Sequence, residues 1–232
     1  HEIWLDGEKI ETTKEPIYGK TYLPRKFKTA IAIPPHNDVD VYANDLGFIA
    51  IIEQHKLIGF NVLVGGGMGS AHNDSQTYPR VADVIGFCTP DQLLAVAESV
   101  VRVQRDYGNR EVRKLARLKY TIDRLGIDVF KSILSEYLGW SLDTAKSFDF
   151  TGNGDRYGWL QTENGKWHLT LYIHSGRIID SPHVTLFSGL LAIAKIHQGE
   201  FRITGNQNLI ISNITPNTKQ QIQDLIDKHG IS

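Results

Sequence analysis

Tyr22-Leu-Pro-Arg-Lys-Phe-Lys-Thr-Ala-Ile-Ala-Ile-Pro-Pro35 opens with three cations in four residues, Arg25, Lys26 and Lys28, and closes as an apolar run between prolines. Pro24 and Pro34 lack donor N–H groups and bracket the segment, so its interior reads as one strand. Side chains of a strand alternate faces. Lys26 and Lys28 then share a side that Ala30 and Ala32 continue, while Phe27, Thr29, Ile31 and Ile33 form the other side and are expected to be core. The lysine side offers two ammonium groups at one end and little bulk at the other, which suits a flat ligand with an anion at its edge. Basic residues opening a strand also serve as a solvated edge. Two neighbouring ammonium groups repel unless an anion or carboxylate stands between them. On pattern alone both readings stand.

Downstream, Phe48 to Ile52 and Lys56 to Val64 read as a hairpin across a short Glu-Gln-His link. The second strand runs into Gly65-Gly-Gly-Met-Gly69, which lacks the Gly-Lys-Ser/Thr ending of a P-loop and the third glycine of G-x-G-x-x-G. Gly65, Gly66 and Gly67 read equally as backbone at positive φ or as bare backbone close to a ligand. Residues 90 to 106 are a helix, capped by Thr89 with Pro90 at its first position and stopped by Gly108. Its stripe is Leu93, Leu94, Val96, Ala97, Val100 and Val101. From Asn109 to Tyr120 the cations Arg110, Arg113, Lys114 and Arg117 recur near helical spacing, which predicts one cationic helix face. Such a face is either solvated or a clamp for carboxylates. Helices follow to about Leu125 and from Asp128 to Tyr137.

The first 20 or so residues are polar and acidic and read as an arm or linker. A boundary falls between about Thr144 and Asp155. Beyond it a hairpin across Asn164-Gly165, a helix over Leu186–His197, two short strands around Gly205–Asn208 and an amphipathic helix from Pro216 to Lys228 make a β-β-α-β-β-α unit. That unit is small to stand alone and is expected to pack on another.

The chain has 232 residues, enough for one large or two small domains, and a formal charge of −1, which argues against a general nucleic-acid binder. No apolar run approaches the length of a membrane span. A single cysteine, Cys88, excludes a disulfide framework or a Cys-rich metal site made by this chain alone and fits a reducing, cytoplasmic compartment. Cys88 reads as a buried structural thiol, and no histidine has a partner at metal-binding spacing. The start at His1 suggests a piece of a longer protein. Anion binding by lysines and arginines, with the reactive centre supplied by a cofactor, is the chemistry that remains.

Several segments carry a resemblance. Leu23-Pro-Arg-Lys-Phe-Lys28, Pro34-Pro-x-Asn-Asp38, Ala43-Asn-Asp45, Gly59-Phe-Asn-x-Leu-Val-Gly-Gly-Gly67, Gln104-Arg-Asp-x-Gly-Asn-Arg110 and Arg113-Lys-x-Ala-Arg-x-Lys-Tyr120 are similar to sirohaem sulfite reductase haemoproteins, nearest the β-component of the NADPH-dependent bacterial enzymes. Phe150-Thr-Gly-x-Gly-Asp-Arg156, Trp167-His-Leu-Thr170, Ala192-Ile-Ala-Lys-Ile-His197 and Phe201-Arg-Ile-Thr-x-Asn-Gln-Asn-Leu-Ile210 extend the likeness almost end to end.

The resemblance implies an α+β chain: a sirohaem-binding mixed α/β module over residues 1–150, then half of a pseudo-symmetric ferredoxin-like domain over 155–232. It implies six-electron reduction of sulfite to sulfide on sirohaem coupled to a [4Fe–4S] cluster. Lys26 and Lys28 match the substrate-facing lysines. Arg25, Lys26, Asn109, Arg113, Arg117 and the Gly65–Gly67 run are the expected cofactor-binding residues. The family holds its cluster with four cysteines in a C-terminal region, and none of these is present. Other substrate-facing arginines belong upstream. The chain is therefore expected to be a middle slice, inactive alone, needing N- and C-terminal parts and either an NADPH flavoprotein component or ferredoxin as electron donor. Related nitrite reductases tend to carry Asn at the position of Lys28, so a second cation favours doubly charged sulfite. A nitrite-reducing relative and a non-catalytic anion-binding module are the alternatives.

Overall fold

The computed structural model describes residues 3–5, 8–10 and 15–231. The chain divides into two units, His1–Gly152 and Asn153–Ser232. In the first, β1 (Ile3–Leu5) and β2 (Glu8–Ile10) pair antiparallel. Part of the expected arm is thus a short ladder, and the rest of that stretch to residue 14 lies outside the described residues.

The main sheet has the order β3 (Thr29–Ala32), β4 (Leu46–Glu53), β5 (Lys56–Val64) and β6 (Asp83–Cys88). β3 and β4 run parallel and the other neighbours antiparallel. β4 and β5 are the expected hairpin, joined by Gln54 and His55 at φ 50° and 61°. A two-residue turn with both positions left-handed matches the twist of the flanking strands. β6 carried no expectation from sequence, because it is short and Gly86 interrupts its alternation.

Pairing sets Thr29 and Ile31 beside Leu46 and Phe48 on one face, and Ala30 and Ala32 beside Gly47 and Ile49 on the other. The first face is covered by α1 (Leu93–Tyr107), α2 (Leu118–Leu125) and α3 (Ile127–Leu138). Their core includes Leu46, Phe48, Val62, Val100, Leu118 and Phe130. The second face holds Ala32, Val41, Ile49, Leu63 and Ala82, with Tyr42, Phe148 and Phe150 packed against them. Buried Asn61 fixes the returning chain over this face, exchanging bonds of 2.7 and 2.9 Å with the backbone of Lys146.

Two expectations fail at β3. Ile31 and Ile33 are 45% and 59% exposed, because the helices cover the centre of the sheet and stop short of its edge strand. Only Phe27 reaches the helical core. Ala32 is fully buried, so the alanine side is not an open platform. Its small side chains admit the protein's own loop: a Cβ at the neighbouring Gly47 would stand 2.9 Å from Val41 Cγ2. Lys26 and Lys28 precede the regular strand.

The expected cationic helix face also fails. Residues 109–112 are irregular, Arg113–Leu115 is one 3-10 turn, and α2 starts after Arg117. The Asn109 side-chain oxygen accepts the N–H groups of Glu111 and Val112 at 2.9 and 3.0 Å. That local turn competes with a helix.

The second unit realises the expected β-β-α-β-β-α order: β7 (Gly158–Gln161), β8 (Trp167–Leu171), α4 (Leu186–Ile196), β9 (Glu200–Ile203), β10 (Leu209–Ile214) and α5 (Pro216–Lys228). Its antiparallel sheet has the order β9-β10-β8-β7. Leu169, Leu171, Ile193, Ile211 and Ile222 form its core.

Candidate anion-binding site

Asp45 is the residue from which the site is built. It stands just before β4 with a fully buried carboxylate. Its Oδ2 accepts the Lys28 N–H at 2.9 Å and Arg117 Nη2 at 2.8 Å, and its Oδ1 accepts Arg117 Nε at 3.1 Å. The Lys28 carbonyl in turn accepts the Leu46 N–H at 3.1 Å. Both backbone groups of Lys28 are therefore held, while its side chain stays exposed. A two-point fork between guanidinium and carboxylate is the strongest geometry such a pair has.

Arg117 is thus half of a buried ion pair rather than a free cation, and its Nη2 also donates to the Gly66 carbonyl at 3.3 Å. The guanidinium lies over Gly67, where a Cβ would stand 2.8 Å from Nη1. The N–H groups of Gly65, Gly66 and Gly67 donate to the carbonyls of Asp45, Asn44 and Arg80 at 2.8, 2.9 and 2.8 Å. A Cβ at Gly66 would collide with the Tyr42 carbonyl oxygen. The glycine run is consequently close-packed on its own chain. Those three amides are bonded within the chain, so the run offers no free N–H group to a ligand.

Lys119 caps the same loop from beneath. Its buried ammonium donates to the carbonyls of Gly67 (3.1 Å), Gly69 (2.9 Å) and Tyr78. The rings of Tyr78 and Tyr120 lie 5.6 and 4.9 Å from Nζ. Burial holds its pKa below the ordinary lysine value, and the neighbouring Arg117 charge pushes the same way.

Arg25 is half-buried and Lys26, Lys28 and Arg113 are exposed. Among the described residues, none of these four side chains has a hydrogen-bond or ion-pair partner. Lys28 and Arg117 are brought together through Asp45, with Arg25 and Lys26 on the same short segment as Lys28. Asn109 and Arg113 are not part of that group. Asn109 is used in its own turn and lines a separate cavity of about 320 Å³ with Tyr78, Tyr120, Asp123 and Arg124. A larger cavity of about 580 Å³ lies within the second unit, beside Tyr172, His174 and Arg177, and holds none of the expected site residues.

Sequence reasoning gave no role to Asp45 or Lys119. The available signal was an acid abutting the apolar run Leu46–Ile52. A carboxylate drawn into a core with such a run has to find a cation.

Residues 1–142 match the family described as "Nitrite and sulphite reductase 4Fe-4S domain", and residues 160–231 match "Nitrite/Sulfite reductase ferredoxin-like half domain". The chain is 57% identical over 238 residues to the "Sulfite reductase [NADPH] hemoprotein beta-component" of Geobacillus thermodenitrificans, and 56% identical over 236 residues to the protein of that name from Bacillus subtilis. These alignments cover all of this chain and 42% and 41% of those proteins. The chain therefore spans about two fifths of the length of the curated relatives it matches. The solved "Structure of Mycobacterium tuberculosis NirA protein" superposes with a TM-score of 0.72 at 25% identity, over 90% of this chain and 37% of that one.

Proposed function

Because this chain belongs to the nitrite and sulphite reductase family, we propose that it supplies substrate-facing cations to an enzyme that reduces sulfite to sulfide on sirohaem. The observation that carries this reading is the division of cations in the first unit. Arg117 and Lys119 are bonded to the chain itself, whereas Lys26 and Lys28 keep exposed ammonium groups with no partner among the described residues.

Sirohaem carries many peripheral carboxylates, and Arg25 and Lys26 fit that chemistry. Among the described residues their side chains have no partner, and they would hold carboxylates by charge-assisted bonds. When bound, sirohaem supplies electrons to the sulfur. A [4Fe–4S] cluster does not fit this chain: it takes four thiolates, and the sequence has one cysteine. Cys88 is buried, and that burial, with the Asp91 charge adding to it, pushes its pKa up to about 11. Among the described residues no group of three or more His, Cys, Asp or Glu is placed to hold a metal ion.

The residues' own part is electrostatic and acid–base. Lys26 and Lys28 offset the charge of the oxyanion and hold it against the electron source. Each oxygen of sulfite leaves as water and needs two protons, which the Nζ groups can deliver and recover from solvent. Two ammonium groups favour doubly charged sulfite over singly charged nitrite by simple Coulomb attraction. The name shared by the relatives supports an NADPH-linked electron donor.

The test is Lys28→Asn in the assembled, sirohaem-loaded enzyme. The ratio of kcat/KM for sulfite over nitrite is expected to fall by about tenfold or more, the scale of one charge-assisted bond. An unchanged ratio removes the argument for sulfite.

A further inference from the structure

We infer that Asp45 is a positioning residue for substrate choice, acting through the Lys28 backbone rather than through its own charge. This rests on the sulfite-reducing reading above. The Asp45 carboxylate sits where three segments meet: it accepts the Lys28 N–H, it is forked by Arg117, and its own carbonyl accepts the Gly65 N–H. Lys28 lies just outside β3, so the parallel ladder gives its amide no partner. The carboxylate supplies one.

Two roles for such a group predict opposite signs. If Asp45 matters through its charge, it weakens anion binding by neutralising Arg117, and removing it strengthens binding. If it matters by holding Lys28, removing it weakens binding even though the site gains net positive charge. The geometry points to the second. The carboxylate is fully enclosed and matched by the Arg117 fork, whereas the Lys28 ammonium is exposed and depends on where its backbone is fixed. An amide in place of the carboxylate has one acceptor oxygen and one donor NH₂. That oxygen, set where Oδ2 now stands, would still accept the Lys28 N–H and Arg117 Nη2, so only removal of the acceptor, as in Asp45→Ala, releases Lys28.

The experiment is Asp45→Ala in the full sirohaem-loaded enzyme, alone and combined with Lys28→Asn. For the single variant, KM for sulfite is expected to rise by on the order of tenfold, the scale of a lost bond to a charged group. The sirohaem absorption should be retained and the preference should shift toward nitrite. In the Lys28→Asn background the same substitution should change KM for sulfite by less than about twofold, because the two act as one unit. A fall in KM, or an equal rise in both backgrounds, overturns the inference while leaving the sulfite reading intact. If Lys28→Asn itself has no effect on preference, it is the sulfite reading that fails. Should Asp45→Ala not fold, hydrogen exchange in the unaltered enzyme decides. A Lys28 amide protected from exchange supports the assignment, and one exchanging like an open loop overturns it.

Discussion

Two cationic stretches of the first unit, Arg25–Lys28 and Arg117–Lys119, look alike in the sequence and behave oppositely in the fold. In the second, Arg117 is 12% exposed at its side chain and forked to a carboxylate, and Lys119 is 1% exposed and bonded to three carbonyls. In the first, Lys26 and Lys28 are exposed. The difference teaches that a count of cations does not identify a ligand wall. A cation enclosed by its own chain serves architecture, and only one left accessible is available to an outside anion.

The largest test of that contrast is Arg117→Met. It strands the Asp45 carboxylate in the interior, and breaking a buried pair from one side costs about 3–5 kcal/mol. Denaturant midpoints should register that loss, and a change within error would show that the pair does not hold the fold. Lys119→Met comes next. It leaves the Gly69 and Tyr78 carbonyls without that donor, while the Gly67 carbonyl keeps the Arg80 N–H, and is expected to cost about 3 kcal/mol, again read from the midpoint.

A smaller effect is expected with pH. The Tyr78 hydroxyl donates to Asp123 at 2.7 Å. That bond, then burial, then the Asp123 charge push its pKa from 10.0 up to about 12. A phenol held protonated by the fold adds stability that is complete below its unfolded value near 10 and disappears as pH climbs to about 12. Phenolate absorbance should show Tyr78 still protonated at about pH 11, and Asp123→Asn should bring its titration down. A Tyr78 that ionises near the ordinary value of 10.0 would show that the bond to Asp123 does not hold the rim of the Lys119 site. The smallest effect belongs to Lys26→Met, expected to change stability by no more than about 0.5 kcal/mol. A larger loss would place Lys26 with the structural cations and erase the contrast.

Much of the architecture was legible locally. The β4–β5 hairpin, α1 with the 3-10 turn that Thr89 and Pro90 start ahead of it, and the whole order of the second unit follow from periodicity and turn residues, which involve neighbours along the chain. Of the failures at β3, the alternation itself was right: Ile31 does share the helix side with Phe48. Alternation does not say how far the helices extend, so Ile31 stays exposed while Ala32 is enclosed by Val41 and Ile49. Arginine spacing suggested a helix where the Asn109 side chain builds a turn instead. Gly65–Gly67 left two readings open until the Tyr42 carbonyl and the Arg117 guanidinium were found against them.

The sequence by itself determined the family, the order of elements and which segments are rich in cations, because those features are written in adjacent residues. Only the tertiary structure decided which cations are paired within the chain. Asp45 and Arg117 stand 72 positions apart, and whether a charge has a counter-charge depends on distances in space that no local pattern contains.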